Sequence, residues 1–148
     1  MTAEQIVRTF FEEVRSGRDP EHAGLWMADE VHAHQMVSEA EETVIRTPQQ
    51  YADHVREMVE AYGQFSLEVQ ECIAQEDKVF IRWKQVGSHV GEVGGFAPTG
   101  LPLIEIASAV YRVESGKIAE YWIQIDRAGV QSQLESNQRM KQGETKPI

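Results

Sequence analysis

The run Gly116-Lys117-Ile118-Ala119-Glu120-Tyr121-Trp122-Ile123-Gln124-Ile125-Asp126 decides how the chain is read. It is rich in β-branched and aromatic residues, has no proline, and follows the turn signal Glu114-Ser115-Gly116. That pattern predicts a strand. Alternation places Ile118, Trp122, Gln124 and Asp126 on one face and Tyr121, Ile123 and Ile125 on the other. Both faces are largely apolar, so the strand is expected to be covered on both sides. Asp126 closes it beside aromatic surface, where desolvation raises a carboxyl's proton affinity and makes a usable general acid or base.

Upstream, the period is 2 back to residue 65. Leu103 to Val113 is a strand that meets Gly116–Asp126 in a hairpin. Val79 to Val90 is a long strand, with Val79, Ile81, Trp83, Gln85 and His89 on one parity. Phe65, Leu67, Val69 and Ile73 alternate with Glu68, Gln70 and Cys72, and Glu76-Asp77-Lys78 makes the turn between. Gly91 to Pro102 is a loop punctuated by glycine and proline.

Before residue 65 the period is helical. Thr2 and Gln5 have capping-box spacing and open a helix over 2–17, with Ile6, Val7, Phe10, Phe11 and Val14 as its stripe. Asp19-Pro20 starts a shorter helix. Thr47-Pro48-Gln49-Gln50 opens a third, with Tyr51, Val55, Met58, Val59 and Tyr62 inward and Gly63 as its stop. Residues 30–37 read as a short strand carrying His32, His34 and Met36 on one face and Val31, Ala33 and Gln35 on the other. Residues 38–46 read as an acidic, structureless linker, residues 128 to about 140 as a last helix or ordered tail, and about 141–148 as a frayed tail.

Helices followed by a meander of strands is an α+β pattern, a single domain over 1–148. The helices are expected on one face of a curved sheet, enclosing a pocket for a small molecule. No helix is left for the face carrying Tyr121, Ile123 and Ile125, so a homodimer is expected there.

A net charge of −10 with 14 scattered basic residues excludes a nucleic-acid or anionic-membrane surface. No run approaches the ~20 apolar residues of a membrane span. The acidic, polar start is no signal peptide, and the one cysteine, Cys72, suits the cytoplasm.

Three segments together resemble a known family: Gly87-Ser88-His89-Val90-Gly91-Glu92, then Pro98-Thr99-Gly100, then Tyr111 through Asp126. They are similar to the G-T-H-x-G, P-T-G and D-G-K-I-x-E-x-W-x-x-x-D pattern of the SnoaL-like polyketide cyclases, within the nuclear transport factor 2-like superfamily. Asp29 to Gln35 also resembles that family's D-D-V-x-x-H-N stretch. Gln35 replaces the usual Asn or Asp, and Ser115 the usual Asp. The resemblance implies a cone-shaped fold, antiparallel or mixed, with three N-terminal helices on the concave face. It also implies cofactor-free intramolecular aldol closure in natural-product biosynthesis, with Asp126 as acid/base.

The candidate catalytic set is therefore Asp126 with His89 and His34 as partners. The candidate substrate contacts are Trp122, Trp83, Gln124, Phe96, Tyr51, Met58, His32 and Gln35. His32-Ala33-His34 could ligate zinc with His89 or Asp126, but no further metal motif accompanies it, and neither metal nor cofactor is expected. His22 and His54 read as solvated. The expected function is acid/base ring closure or isomerisation of a hydrophobic, polyketide-like carbonyl compound. Two alternatives are epoxide hydrolase-like water addition or ring opening in the same pocket, and a non-catalytic small-molecule-binding dimer.

Overall fold

The computed structural model describes residues 1–143. Helix α1 (Ala3–Phe10) begins with the expected capping box: Thr2 Oγ1 accepts from the Gln5 amide, and Gln5 Oε1 accepts from the Thr2 amide. The helix widens into a π turn over Phe11–Arg15, where the Ser16 amide reaches back five residues to the Phe11 carbonyl. The wider turn brings Phe10, Phe11, Val14 and Arg15 to the interior together. A 3-10 turn at Pro20–His22 leads into the single turn α2 (Ala23–Trp26). Strand β1 (Met27–Gln35) follows, then β2 (Glu42–Arg46). Helix α3 (Pro48–Tyr62) has the second capping box, Thr47 with Gln50, and ends at Gly63 with φ +70°.

Strands β3 (Ser66–Gln75), β4 (Lys78–Ser88), β5 (Pro102–Glu114) and β6 (Lys117–Ile125) form the meander, and α4 (Arg127–Gly143) ends the described chain. The fold is α+β. One six-stranded sheet runs β2-β1-β6-β5-β4-β3, antiparallel except for the parallel pair β1–β6. Register shifts in β1, β3 and β6 bend the ladder, as bulges do. The helices pack on one face. Phe11 meets Trp83 with ring centroids 4.9 Å apart, and Phe10 packs on Tyr51 and Tyr111 at 5.3 and 5.9 Å.

Three expectations need correction. The linker over 38–46 contains β2, which pairs with β1 from Val31↔Arg46 to Gln35↔Glu42. Its β-branched core, Thr43-Val44-Ile45, was hidden among acidic neighbours. The face assignment of β6 was inverted over the residues that matter. Val113 pairs with Ile118 and Arg112 with Glu120, which leaves Ala119 without a partner. This bulge turns both Ile118 and Tyr121 inward, at 0% and 4% exposure. Tyr121, Ile123 and Ile125 therefore lie under the helices, and Trp122 and Gln124 lie on the outer face. The expected tail from 141 is also late: Lys141–Gly143 continue α4, and the remainder lies outside the described residues.

Candidate functional site

Between the helices and the inner face of the sheet lies a cavity of about 160 Å³. Helix α3 contributes Tyr51, His54, Met58 and Tyr62, one to each successive turn. Strand β6 contributes Tyr121, Ile123 and Ile125, and β5 contributes Glu105 and Tyr111. Gln35 enters from the end of β1, Arg46 from the end of β2, and Arg15 from the π turn.

The carboxyl, imidazole and phenol groups here are displaced from their ordinary behaviour. Burial raises the proton affinity of the Glu105 carboxyl, and Arg15 opposes that only in part. Burial lowers His54 to about 4, with Arg46 and Arg15 pushing the same way, so its imidazole is neutral at pH 7. Burial likewise raises Tyr51, Tyr111 and Tyr121, which keeps their hydroxyls protonated as hydrogen-bond donors. Arg15 is 4% exposed, and its Nη2 lies 3.7 Å from Glu105 Oε1, an ion pair too long for a hydrogen bond. Its guanidinium carbon sits 5.6 Å from the centroids of Phe65 and Trp83. Neither Arg15 Nη1 nor Arg46 Nε has a hydrogen-bond partner among the described residues.

Three of the substrate contacts expected from sequence line this cavity: Tyr51, Met58 and Gln35. The others do not. Asp126 is exposed and serves as the N-cap of α4, its Oδ1 accepting from the Gly129 amide at 3.0 Å. The backbone fixes it there, since the Asp126 amide donates to the Ile106 carbonyl. An aspartate one residue before a helix is satisfied by that helix's free amides, and this is what the carboxylate does.

His34 lies on the outer face. Its Nε2 is 2.6 Å from Glu120 Oε2, its Nδ1 is 2.8 Å from Thr43 Oγ1, and its ring stacks on Trp122 at 5.2 Å. His32 is exposed beside it, and Gln124 is exposed. Trp122 and Gln124 border a shallow outer hollow with Met36, Phe80 and Val110. His89 is fully buried but lines no described cavity, and neither ring nitrogen has a partner among the described residues. Trp83 is also fully buried, beneath Arg15. Phe96 sits in the loop after β4, where it bridges to Val93. Among the described residues, the three-ligand grouping that converges is Asp19, Glu21 and His22, not the His32/His34 pair.

Sequence reasoning missed Arg15, Arg46, His54 and Glu105. Two carried a signal. His54 is three residues after Tyr51 and four before Met58, so it shares their stripe. Glu105 falls on the inward parity of Leu103, Ala107 and Ala109. Among the described residues, no helix is long and apolar enough to cross a membrane.

Solved structures of similar shape fit this architecture. A candidate polyketide cyclase from Acidithiobacillus ferrooxidans superimposes with a TM-score of 0.80 at 23% identity, over 93% of this chain and 96% of that one. IdmH, a candidate polyketide cyclase from Streptomyces antibioticus, gives 0.76 at 20% identity, over 91% and 99%. A Catenulispora acidiphila protein with a ketosteroid isomerase-like fold, solved with trimethylamine, gives 0.65 at 15% identity, over 88% and 92%. At these identities the likeness speaks for the fold. No curated protein matches the chain in sequence. The family model for SnoaL-like polyketide cyclases matches residues 5–134. This match spans every strand, all of α3 and most of α1, and the chain belongs to the SnoaL-like polyketide cyclase family.

Proposed function

We propose that the chain is a cyclase or isomerase that works by acid/base catalysis, without a cofactor, on a hydrophobic carbonyl compound held in the inner cavity. The observation that carries this is Glu105: a carboxyl with raised proton affinity in a cavity lined by apolar and tyrosine side chains, which the neutral imidazole of His54 also lines. A carboxylate of raised proton affinity is the stronger base near neutral pH, whereas an imidazole lowered to about 4 is a weak one. Glu105 takes a proton from the carbon next to the carbonyl. The enolate oxygen accepts hydrogen bonds from the hydroxyls of Tyr51 and Tyr121. The enolate carbon then attacks a second carbonyl of the same molecule, and the alkoxide formed recovers the proton from Glu105. His54 orients the substrate oxygens through its ring nitrogens.

Family membership supports the reaction class, and the cavity supports the choice of residues. Asp126 has no part in this scheme, because it lies in solvent as a helix cap. The test is turnover of a polyketide-type 1,3-dicarbonyl substrate by Glu105→Gln. The expected loss is about 10²-fold or more with the fold retained. Wild-type turnover in that variant contradicts the scheme.

The outer hollow of Met36, Phe80, Val110 and Trp122 is the proposed homodimer surface, in place of the face carrying Tyr121. Sedimentation should give a dimer for the wild type and a monomer for Trp122→Arg, and a monomeric wild type contradicts it. The free Cys72 is in keeping with a cytoplasmic site of action.

A further inference from the structure

The cavity's charge does not balance, in a chain whose net charge is −10. Two guanidinium groups, Arg15 and Arg46, line it, and among the described residues the one acidic side chain lining it is Glu105. Arg15 is 4% exposed, touches Glu105 only at 3.7 Å, and has an unpartnered Nη1 among the described residues. Arg46 makes no ion pair among the described residues, and its buried Nε is unpartnered. Both cations bear on the same space, since each pushes His54 down and each draws Tyr51 and Tyr121 toward the phenolate.

Leaving a buried guanidinium short of partners is costly. Arg15 is nevertheless held in place by Phe65 and Trp83 on either contact, so it does not turn away to find water. A cation fixed in this way is preorganised for an anion that arrives from outside.

We propose that the substrate of this cavity carries a carboxylate, and that Arg15 and Arg46 bind it while the apolar wall of Met58, Ile123 and Ile125 takes the carbon body. One carboxylate matches the guanidinium fork in shape. With Glu105 ionised it also brings the two cations to neutrality, whereas a phosphate dianion would overshoot. About 160 Å³ is small beside ordinary ligand pockets, which start near ~300 Å³, so the enclosed part is a compact acid rather than a fused polycycle. The proposal rests on reading this cavity as the substrate site.

The experiment is calorimetric titration of the full chain with benzoate, benzamide and inorganic phosphate at low salt, with the His54 ring followed by NMR. Benzoate should bind about tenfold or more tightly than benzamide. Its binding should weaken with salt, and it should raise the proton affinity of His54. Arg46→Met, at a half-buried position, should fold and lose the preference. Arg15→Met should do the same wherever its thermal unfolding shows a folded state. Equal affinity for benzoate and benzamide, an unchanged preference in Arg46→Met, or phosphate binding as tightly as benzoate overturns the assignment. The two readings fail separately. A turnover loss in Glu105→Gln without benzoate preference overturns the carboxylate assignment alone. Benzoate preference with undiminished turnover in Glu105→Gln overturns the acid/base scheme alone.

Discussion

Tyr121 and Trp122 are neighbours in β6, yet they belong to two different chemical environments. On the outer face by Trp122, polar groups satisfy one another. His34 bonds Glu120 at 2.6 Å, and Arg112 Nε bonds the other Glu120 oxygen at 3.1 Å. Burial alone would raise Glu120, but the bonds from His34 and Arg112 outweigh it and hold its carboxyl below the ordinary range. On the inner face by Tyr121, ionisable groups are desolvated and left short of partners, so Glu105 moves up and His54 moves down. A carboxylate already fixed by two partners is a poor proton carrier, and one that burial has unsettled is a good one. The difference points to the inner face as the place for chemistry and to the outer face as a place for stability.

The sharpest way to break that contrast is to exchange the roles. Glu105→Gln should lower the turnover number by about 10²-fold or more, while Asp126→Asn, which keeps a good N-cap, leaves it within about twofold. The reverse order in steady-state assays would return the chemistry to Asp126. Next in size is His54→Leu, expected to lower turnover about tenfold.

That variant also tests the electrostatics through stability. His54 moves from 6.5 to about 4 on folding, so the unfolded chain binds more protons between those values. Stability from this group is complete above pH 6.5 and is lost as pH falls toward 4. Chemical denaturation across that range should show a smaller loss for His54→Leu than for the wild type. Glu105 has the opposite sign. Its contribution is complete below the ordinary carboxyl value of 4.5 and is lost as pH rises through the higher folded value. Glu105→Gln should therefore lose less stability than the wild type as pH rises toward neutrality, and an equal loss would mean a solvated carboxyl.

On the outer face the expected effects are on stability alone. Glu120→Gln should cost about 1 kcal/mol in urea denaturation at pH 7, with turnover unchanged. Because the folded Glu120 sits below 4.5, the pair's contribution is present above 4.5 and lost as pH falls through the folded value. The smallest effect is Asp126→Ala, about 1 kcal/mol or less through loss of the Gly129 cap. A large loss of turnover in either variant would erase the distinction between the faces.

The legible features were the local ones. Both capping boxes, the Gly63 stop, the β3–β4 turn and the β5–β6 hairpin lie within a few residues of their own signals. The family pattern was legible as well, and it reached the right fold. What failed was parity across Ala119. A bulge shifts the count by one, and its signal lies in the pairing with β5, not in β6 itself. That one slip puts Trp122 and Asp126 inside and Tyr121 outside, and it agrees with the role that the family resemblance implies for Asp126. His34 failed for the same reason, since β1 pairs with β6 and presents His34 beside Trp122. His54 is readable from its spacing, although charged neighbours suggest solvent, and Glu105 is readable from its parity with Leu103, Ala107 and Ala109, although nothing local singles it out. Arg15 lies at the edge of the apolar stripe, four residues after Phe11, where an arginine reads as solvated; the π turn holds it inward with Phe11 and Val14. Arg46 depends on β2, which reads as linker because acidic residues surround its β-branched core.

The account depends on the inner cavity being dry and short of negative charge. NMR titration of the His54 ring and the Glu105 carboxyl in the folded protein tests this most directly. The account predicts displacement in opposite directions, His54 down to about 4 and Glu105 above 4.5. A His54 that titrates near 6.5 together with a Glu105 near 4.5 would describe a wet, ordinary surface and would contradict it.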